Sequence, residues 1–173
     1  MSIYTLGPDD GTLLVRTGRG GAVAKAGHDL VIHVTAWSAT LDLDAPSLAL
    51  DADSTSLRVR EGTGGMQALD DGDLANIETT INDEVLLRRD IGFRSTSVSG
   101  EGESLRVAGD LTVFGATRPI AFELAVDGGR VRGMAVVRQT DFGMKPYSAL
   151  FGALKVADEV RVEVDATLPA QSR

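Results

Sequence analysis

The stretch Leu105-Arg106-Val107-Ala108-Gly109-Asp110-Leu111-Thr112-Val113 decides how this chain is read. Side chains of an extended strand point alternately to opposite faces, so Leu105, Val107, Gly109, Leu111 and Val113 share one side while Arg106, Ala108, Asp110 and Thr112 line the other. The stretch is a strand with one face to bury. Downstream, Ile120, Phe122, Leu124 and Val126 oppose Glu123 and Asp127, and Val160, Val162 and Val164 oppose Arg161, Glu163 and Asp165. Followed outward in both directions, the same period of two predicts strands over 12–17, 30–37, 39–43, 48–53, 57–60, 91–98, 105–113, 120–126, 131–138 and 159–168. Gly100 with Gly102, Asp127-Gly128-Gly129 and Arg118-Pro119 supply turn chemistry between them, so neighbours are expected to be antiparallel.

One segment changes period. Leu74, Ile77, Ile81 and Val85 recur at steps of three and four, which predicts one helix near residues 71–87. Asp70, Asp71 and Asp73 favour its N-terminus, and Arg88 and Arg89 follow its C-terminus, in agreement with the helix dipole. A long run of one-sided strands with a single helix to cover them is best served by closure into an all-β antiparallel barrel of about eight to ten strands. The length of 173 residues suits one domain, and no linker or repeat interrupts residues 1–173.

Val131, Gly133, Ala135 and Val137, beside Gly109, and Ile91, Phe93, Ser95 and Ser97 place several small residues on the inferred inward face. An eight-stranded barrel is wide enough to be filled by side chains or to hold one small ligand. Both outcomes stay open on residue volume alone, since the helix or a loop could occupy the same space.

Composition removes many chemistries. Twenty-five acidic against 17 basic residues give a formal charge of −8, which opposes binding to nucleic acid and to anionic membrane faces. Without cysteine there is no disulfide, thiol nucleophile or cysteine-ligated metal, and two histidines leave little for a histidine site, so no metal or cofactor is expected. The first ten residues lack a basic region followed by an apolar run, and no stretch approaches the roughly 18 apolar residues needed to span a bilayer, so a cytoplasmic location without a transmembrane segment is expected.

No motif carries catalysis. Gly18-Arg19-Gly20-Gly21 lacks the Lys-Ser/Thr of a phosphate-binding loop and its strand-to-helix setting. Asp141-Phe142-Gly143 stands without the other elements of a kinase. No serine occupies a nucleophile elbow, and no carboxylate pair stands out as acid and base. His28-Asp29 is the sharpest polar pair, but adjacent strand residues face opposite ways, so a structural role is expected for it. His33 alternates with Ile32 and Val34 and falls on the polar side.

Together, Ile91-Gly92-Phe93-Arg94-Ser95-Thr96-Ser97-Val98, Leu111-Thr112-Val113-Phe114-Gly115-Ala116-Thr117-Arg118-Pro119-Ile120 and Thr140-Asp141-Phe142-Gly143-Met144 resemble the YceI-like family of lipocalin-like proteins. Gly27-His28-Asp29-Leu30 and Val156-Ala157-Asp158-Glu159-Val160-Arg161-Val162 extend the resemblance over nearly the whole chain. It implies a lipocalin-like barrel whose apolar lumen binds a polyisoprenoid or similar amphiphilic lipid without catalysis. Phe114 stands where family members often carry a histidine, so any contact made by that histidine is not carried over.

The expectation is therefore a non-catalytic carrier or sensor of a hydrophobic or amphiphilic small molecule. Its ligand-binding lining is Leu30, Ile32, Phe93, Leu111, Phe122, Val137 and Val162, with Phe142, Met144, Tyr147 and Phe151 as mouth or lid residues. Two rivals stand beside it. In one, the barrel is filled and the apolar segment 147–154 packs on a second copy, as a homodimer, or on another protein. In the other, an enzyme uses His28 with Asp29 or Asp141 on a small substrate.

Overall fold

The computed structural model describes residues 3–20, 28–64, 90–100, 103–143, 148–149 and 154–169, and within them antiparallel strands dominate. In chain order the strands are β1 (Ile3–Leu6), β2 (Gly11–Gly20), β3 (His28–Val34), β4 (Trp37–Asp42), β5 (Ser47–Ala52) and β6 (Leu57–Gly64). There follow β7 (Ile91–Ser99), β8 (Ser104–Val113), β9 (Ala116–Asp127), β10 (Arg130–Arg138), β11 (Ser148–Ala149) and β12 (Leu154–Thr167). All belong to one sheet. The helix expected at 71–87 lies outside the described residues.

The twelve strands reduce to eight staves, because three pairs of them are single bent strands and β11 is a short flap on β12. β1 pairs with β4 while β2, its continuation, pairs with β3. β3 and β4 are separated only by Thr35 and Ala36, and β5 and β6 by Asp53 and a 3₁₀ turn at Ser54–Ser56. Across that bend Thr35 N donates to Ser56 O at 3.0 Å and Asp53 N to Ala36 O at 3.0 Å, so the two bent strands remain paired. Ser56 Oγ braces the corner by accepting from Ala36 N and donating to Asp53 O. From β5 the pairing proceeds through β7, β8, β9, β10 and β12 and returns to β2. Counted by staves, the sheet is an up-and-down ring, and closure removes the exposed edges that an open sheet would carry.

Two local expectations are corrected. The turn between β8 and β9 is Phe114-Gly115, with φ of 56° and 74°, and not Arg118-Pro119. Positive φ at both central residues is the hairpin geometry that follows strand twist, though a bulky residue rarely adopts it. Pro119 lies inside β9 opposite Asp110, where β10 has not yet joined, since the β9–β10 register stops at Glu123. There a missing N–H costs no ladder bond. The second correction concerns β7, whose register shifts between Ser95 and Ser97. The bulge turns Ser97 outward and brings Val98 onto the core in its place.

The outer face is polar and cross-linked by charge. Arg94 clasps Asp51 through 2.9 and 3.0 Å bonds, Arg130 clasps Asp165, Arg138 meets Glu159 and Arg16 meets Glu163. All are largely solvated, so they hold register more than they stabilise the fold.

Candidate ligand-binding cavity

Inside the ring the two ends differ. Toward the start of β8 and the end of β12, Leu43, Val98, Leu105, Val126 and Leu168 pack on the core without lining a cavity, and Val107 is wholly buried. Toward the end of β8 the interior opens into a cavity of about 260 Å³, lined by side chains from every strand except β11. Its wall includes the inward-facing, half-buried Leu50, Ile91, Ile120 and Phe122. An apolar cavity of about 150 Å³ stays dry and accepts benzene, so this space suits about ten carbon atoms.

The two inward glycines leave no hole of their own. A Cβ on Gly109 would stand 2.7 Å from Phe93 Cζ and 2.4 Å from Arg94 O, so the ring of Phe93 already occupies the vacated room. Likewise a Cβ on Gly133 would meet Leu124 Cδ1 at 2.9 Å. The cavity follows from the width of an eight-stave ring whose lining mixes Leu, Ile, Val and Phe with Ala39, Ala52 and Ala135. Phe93 and Phe122 form one wall, their ring centroids 5.5 Å apart and their planes tilted by 55°.

Of the residues expected to line a site, Ile32, Phe93, Leu111, Phe122, Val137 and Val162 face the cavity. Leu30 lies in β3, its side chain outside the described set. Phe142 is 3% exposed in a 3₁₀ turn at Gln139–Phe142 and packs on the core beside the cavity without lining it. Met144, Tyr147 and Phe151 lie outside the described residues. His28 and Asp29 are successive residues of β3, opposite Gly64 and Thr63, and their side chains lie outside the described set.

Trp37 is a lining residue that strand counting missed, as is Leu6 of β1. Numbering inward positions from Ile32 and Val34 puts Trp37 on the outside, but Thr35 and Ala36 bend the strand and shift the parity, so Trp37, Ala39 and Leu41 face in. The signal was present in the alternation of Trp37, Ala39 and Leu41 with Ser38, Thr40 and Asp42. Trp37 is 6% exposed and its Nε1 makes no hydrogen bond.

Polar groups at the cavity are few. Thr17 lies near the end of β2, and Gln139, buried, opens the 3₁₀ turn. That turn is tied to β12 by Asp158, which accepts from Thr140 Oγ1 at 2.6 Å and Thr140 N at 2.8 Å. The side-chain bond from Thr140 holds the Asp158 carboxyl below its ordinary range, aided by the backbone bond and nearby Arg138. Among the described residues no arginine, lysine or histidine lines the cavity.

A family model described as the YceI-like domain matches residues 21–168. Among solved structures, BcnA of Burkholderia cenocepacia is 16% identical with a TM-score of 0.58, over 91% of this chain and 96% of its own. The YCEI protein of Campylobacter jejuni is 12% identical with a TM-score of 0.61, over 82% of this chain and 85% of its own. At such identities these structures speak to the fold. No curated protein matches the chain in sequence. Among the described residues no helix is long and apolar enough to cross a membrane.

Proposed function

The chain belongs to the YceI-like family, and from that premise we propose that it binds and carries, without catalysis, a polyisoprenoid or similar amphiphilic lipid in its lumen. The observation that carries this reading is the apolar cavity of about 260 Å³ that its own wall leaves unfilled. Each methylene transferred from water into such a space contributes about 0.8 kcal/mol, so two isoprene units alone support useful affinity. Contact with Ile32, Phe93, Leu111, Phe122, Val137 and Val162 is the mechanism, and no bond is made or broken. A longer chain extends beyond the cavity toward the end carrying Phe142, with Leu30, Met144, Tyr147 and Phe151 as further contacts in this reading.

Native mass spectrometry of protein purified from its own host, followed by organic extraction, tests it. A bound species of defined mass that is recovered as an isoprenoid or similar lipid is the expected result. Protein that is repeatedly free of lipid, and that also fails to take up an apolar dye, overturns the reading. A concentration-dependent dimer under those conditions would favour the interaction module instead.

A further inference from the structure

We propose that the cargo enters and leaves through the side of the barrel, by a slit between the first half of β9 and the second half of β10. This rests on the cavity being the ligand site. The β9–β10 ladder ends at Glu123 opposite Met134, yet β9 reaches back to Ala116 and β10 runs on to Arg138. Over that span β9 pairs only with β8 and β10 only with β12, so among the described residues no strand lies between the two facing edges. The 3₁₀ turn at Gln139–Phe142 packs on both β9 and β12 and bounds the slit at its far end.

The cavity reaches this gap. Ile120 and Phe122 on one edge and Ala135 and Val137 on the other line it. So does Met134, although it alternates with the inward Gly133 and Ala135 and is 47% exposed on the outer face. A space that touches an outward side chain as well as its two inward neighbours passes through the wall there. The outer border is apolar too. Met134 and Val136 are two of the three large apolar side chains that stand exposed among the described residues, and across the gap Pro119 and Ala121 take outward positions of β9. Elsewhere ion pairs such as Arg130 with Asp165 stand on the outer wall, whereas here a chain leaving the lumen stays against apolar surface. Pro119 also denies an added strand one hydrogen bond, so these free edges are poorly suited to pairing with another protein. With no ladder bonds between them to break, the edges part at little cost.

The chain has no cysteine, so Ala121→Cys with Val136→Cys puts the only thiols on the two borders, where bis(maleimido)ethane bridges them. Stopped-flow uptake and release of N-phenyl-1-naphthylamine are then compared in the full chain with and without the bridge. Bridging should slow both at least about tenfold while the equilibrium affinity holds, because a blocked route changes the rates and not the end states. The control pair Ser104→Cys and Ala125→Cys, register partners on the outer face of the unbroken β8–β9 ladder, should leave both rates unchanged when bridged. Unchanged rates across the slit, or equal slowing in the control, overturn the proposal. Should the double variant not fold or not bridge, the exposed Met134→Cys decides. Saturating dye should slow its alkylation by N-ethylmaleimide at least about threefold, and a rate that the dye leaves unchanged overturns the proposal as well. If the wild type takes up no dye at equilibrium, the cavity reading itself fails and takes this inference with it. Dye uptake that is indifferent to the bridge sinks the slit alone.

Discussion

The two ends of the barrel share one wall and one residue alphabet, yet one is solid and the other hollow. At the solid end Leu105, Val107 and Val98 converge with Val126 and Leu168, and Val107 has no exposed surface left. At the hollow end Leu50, Ile91, Ile120 and Phe122 point inward just as regularly but line the cavity, which none of the residues named for the solid end does. Valine and leucine in the sequence thus mean core at one end and cavity wall at the other.

Identical substitutions at the two ends should therefore separate. Val107→Ala removes methyls that touch protein on all sides and is expected to cost about 2 kcal/mol, whereas Val162→Ala, at a half-buried wall position, should cost about 1 kcal/mol or less. Urea unfolding of both variants at a shared m-value checks this. Equal losses would mean that the wall position is packed as tightly as the solid end.

Filling is the converse. Enlarging a side chain in a packed core costs about 1–3 kcal/mol, but Leu50→Phe pushes into open space between Ala39 and Phe93 and should leave the denaturation midpoint nearly unchanged. The same variant should weaken uptake of an apolar dye such as N-phenyl-1-naphthylamine at least about tenfold by occupying its volume. A large loss of stability with binding intact would reverse the roles given to the two ends.

Much of this was legible in the sequence, and its limits are physical. Strict alternation in 105–113, 120–126 and 131–138 located β8, β9 and β10 and their inward faces, because a period of two is unambiguous while a strand stays regular. It failed where the strand does not. The bulge after Ser95 and the bend at Thr35-Ala36 each shift parity, which misplaced Ser97 and hid Trp37. Short β1 carries too few residues to show a period. Pro119 read as a turn because openness on one side of β9 depends on where β10 begins to pair. Six of the proposed lining residues face the cavity, and of the small residues expected on its wall Gly133 and Ala135 line it while Gly109 does not, since the room beside Gly109 is taken by Phe93 of another strand.

The smallest expected effect concerns the boundary of the hollow end, where Asp158 holds Thr140 and with it the turn that carries Gln139 and Phe142. The Thr140 side-chain bond lowers the Asp158 pKa, so the ionised carboxylate is the form that favours the folded state. A folded pKa below the unfolded one contributes stability above the unfolded value and loses it as pH falls through the folded value. Asp165, lowered chiefly by its bond from Arg130, and Asp53, lowered chiefly by Thr55, follow the same sign, so acid loosens all three sites. Thr140→Val removes the hydroxyl donor and retains the backbone one, which isolates the larger cause. Wild type and variant should differ by a constant small amount above about pH 5 and converge as the pH falls below the usual carboxylate range. Paired urea titrations across pH 2–7 read that convergence. A difference that persists unchanged at the acid end would mean that the Thr140 hydroxyl acts through packing, and the turn would then be held without help from the Asp158 charge.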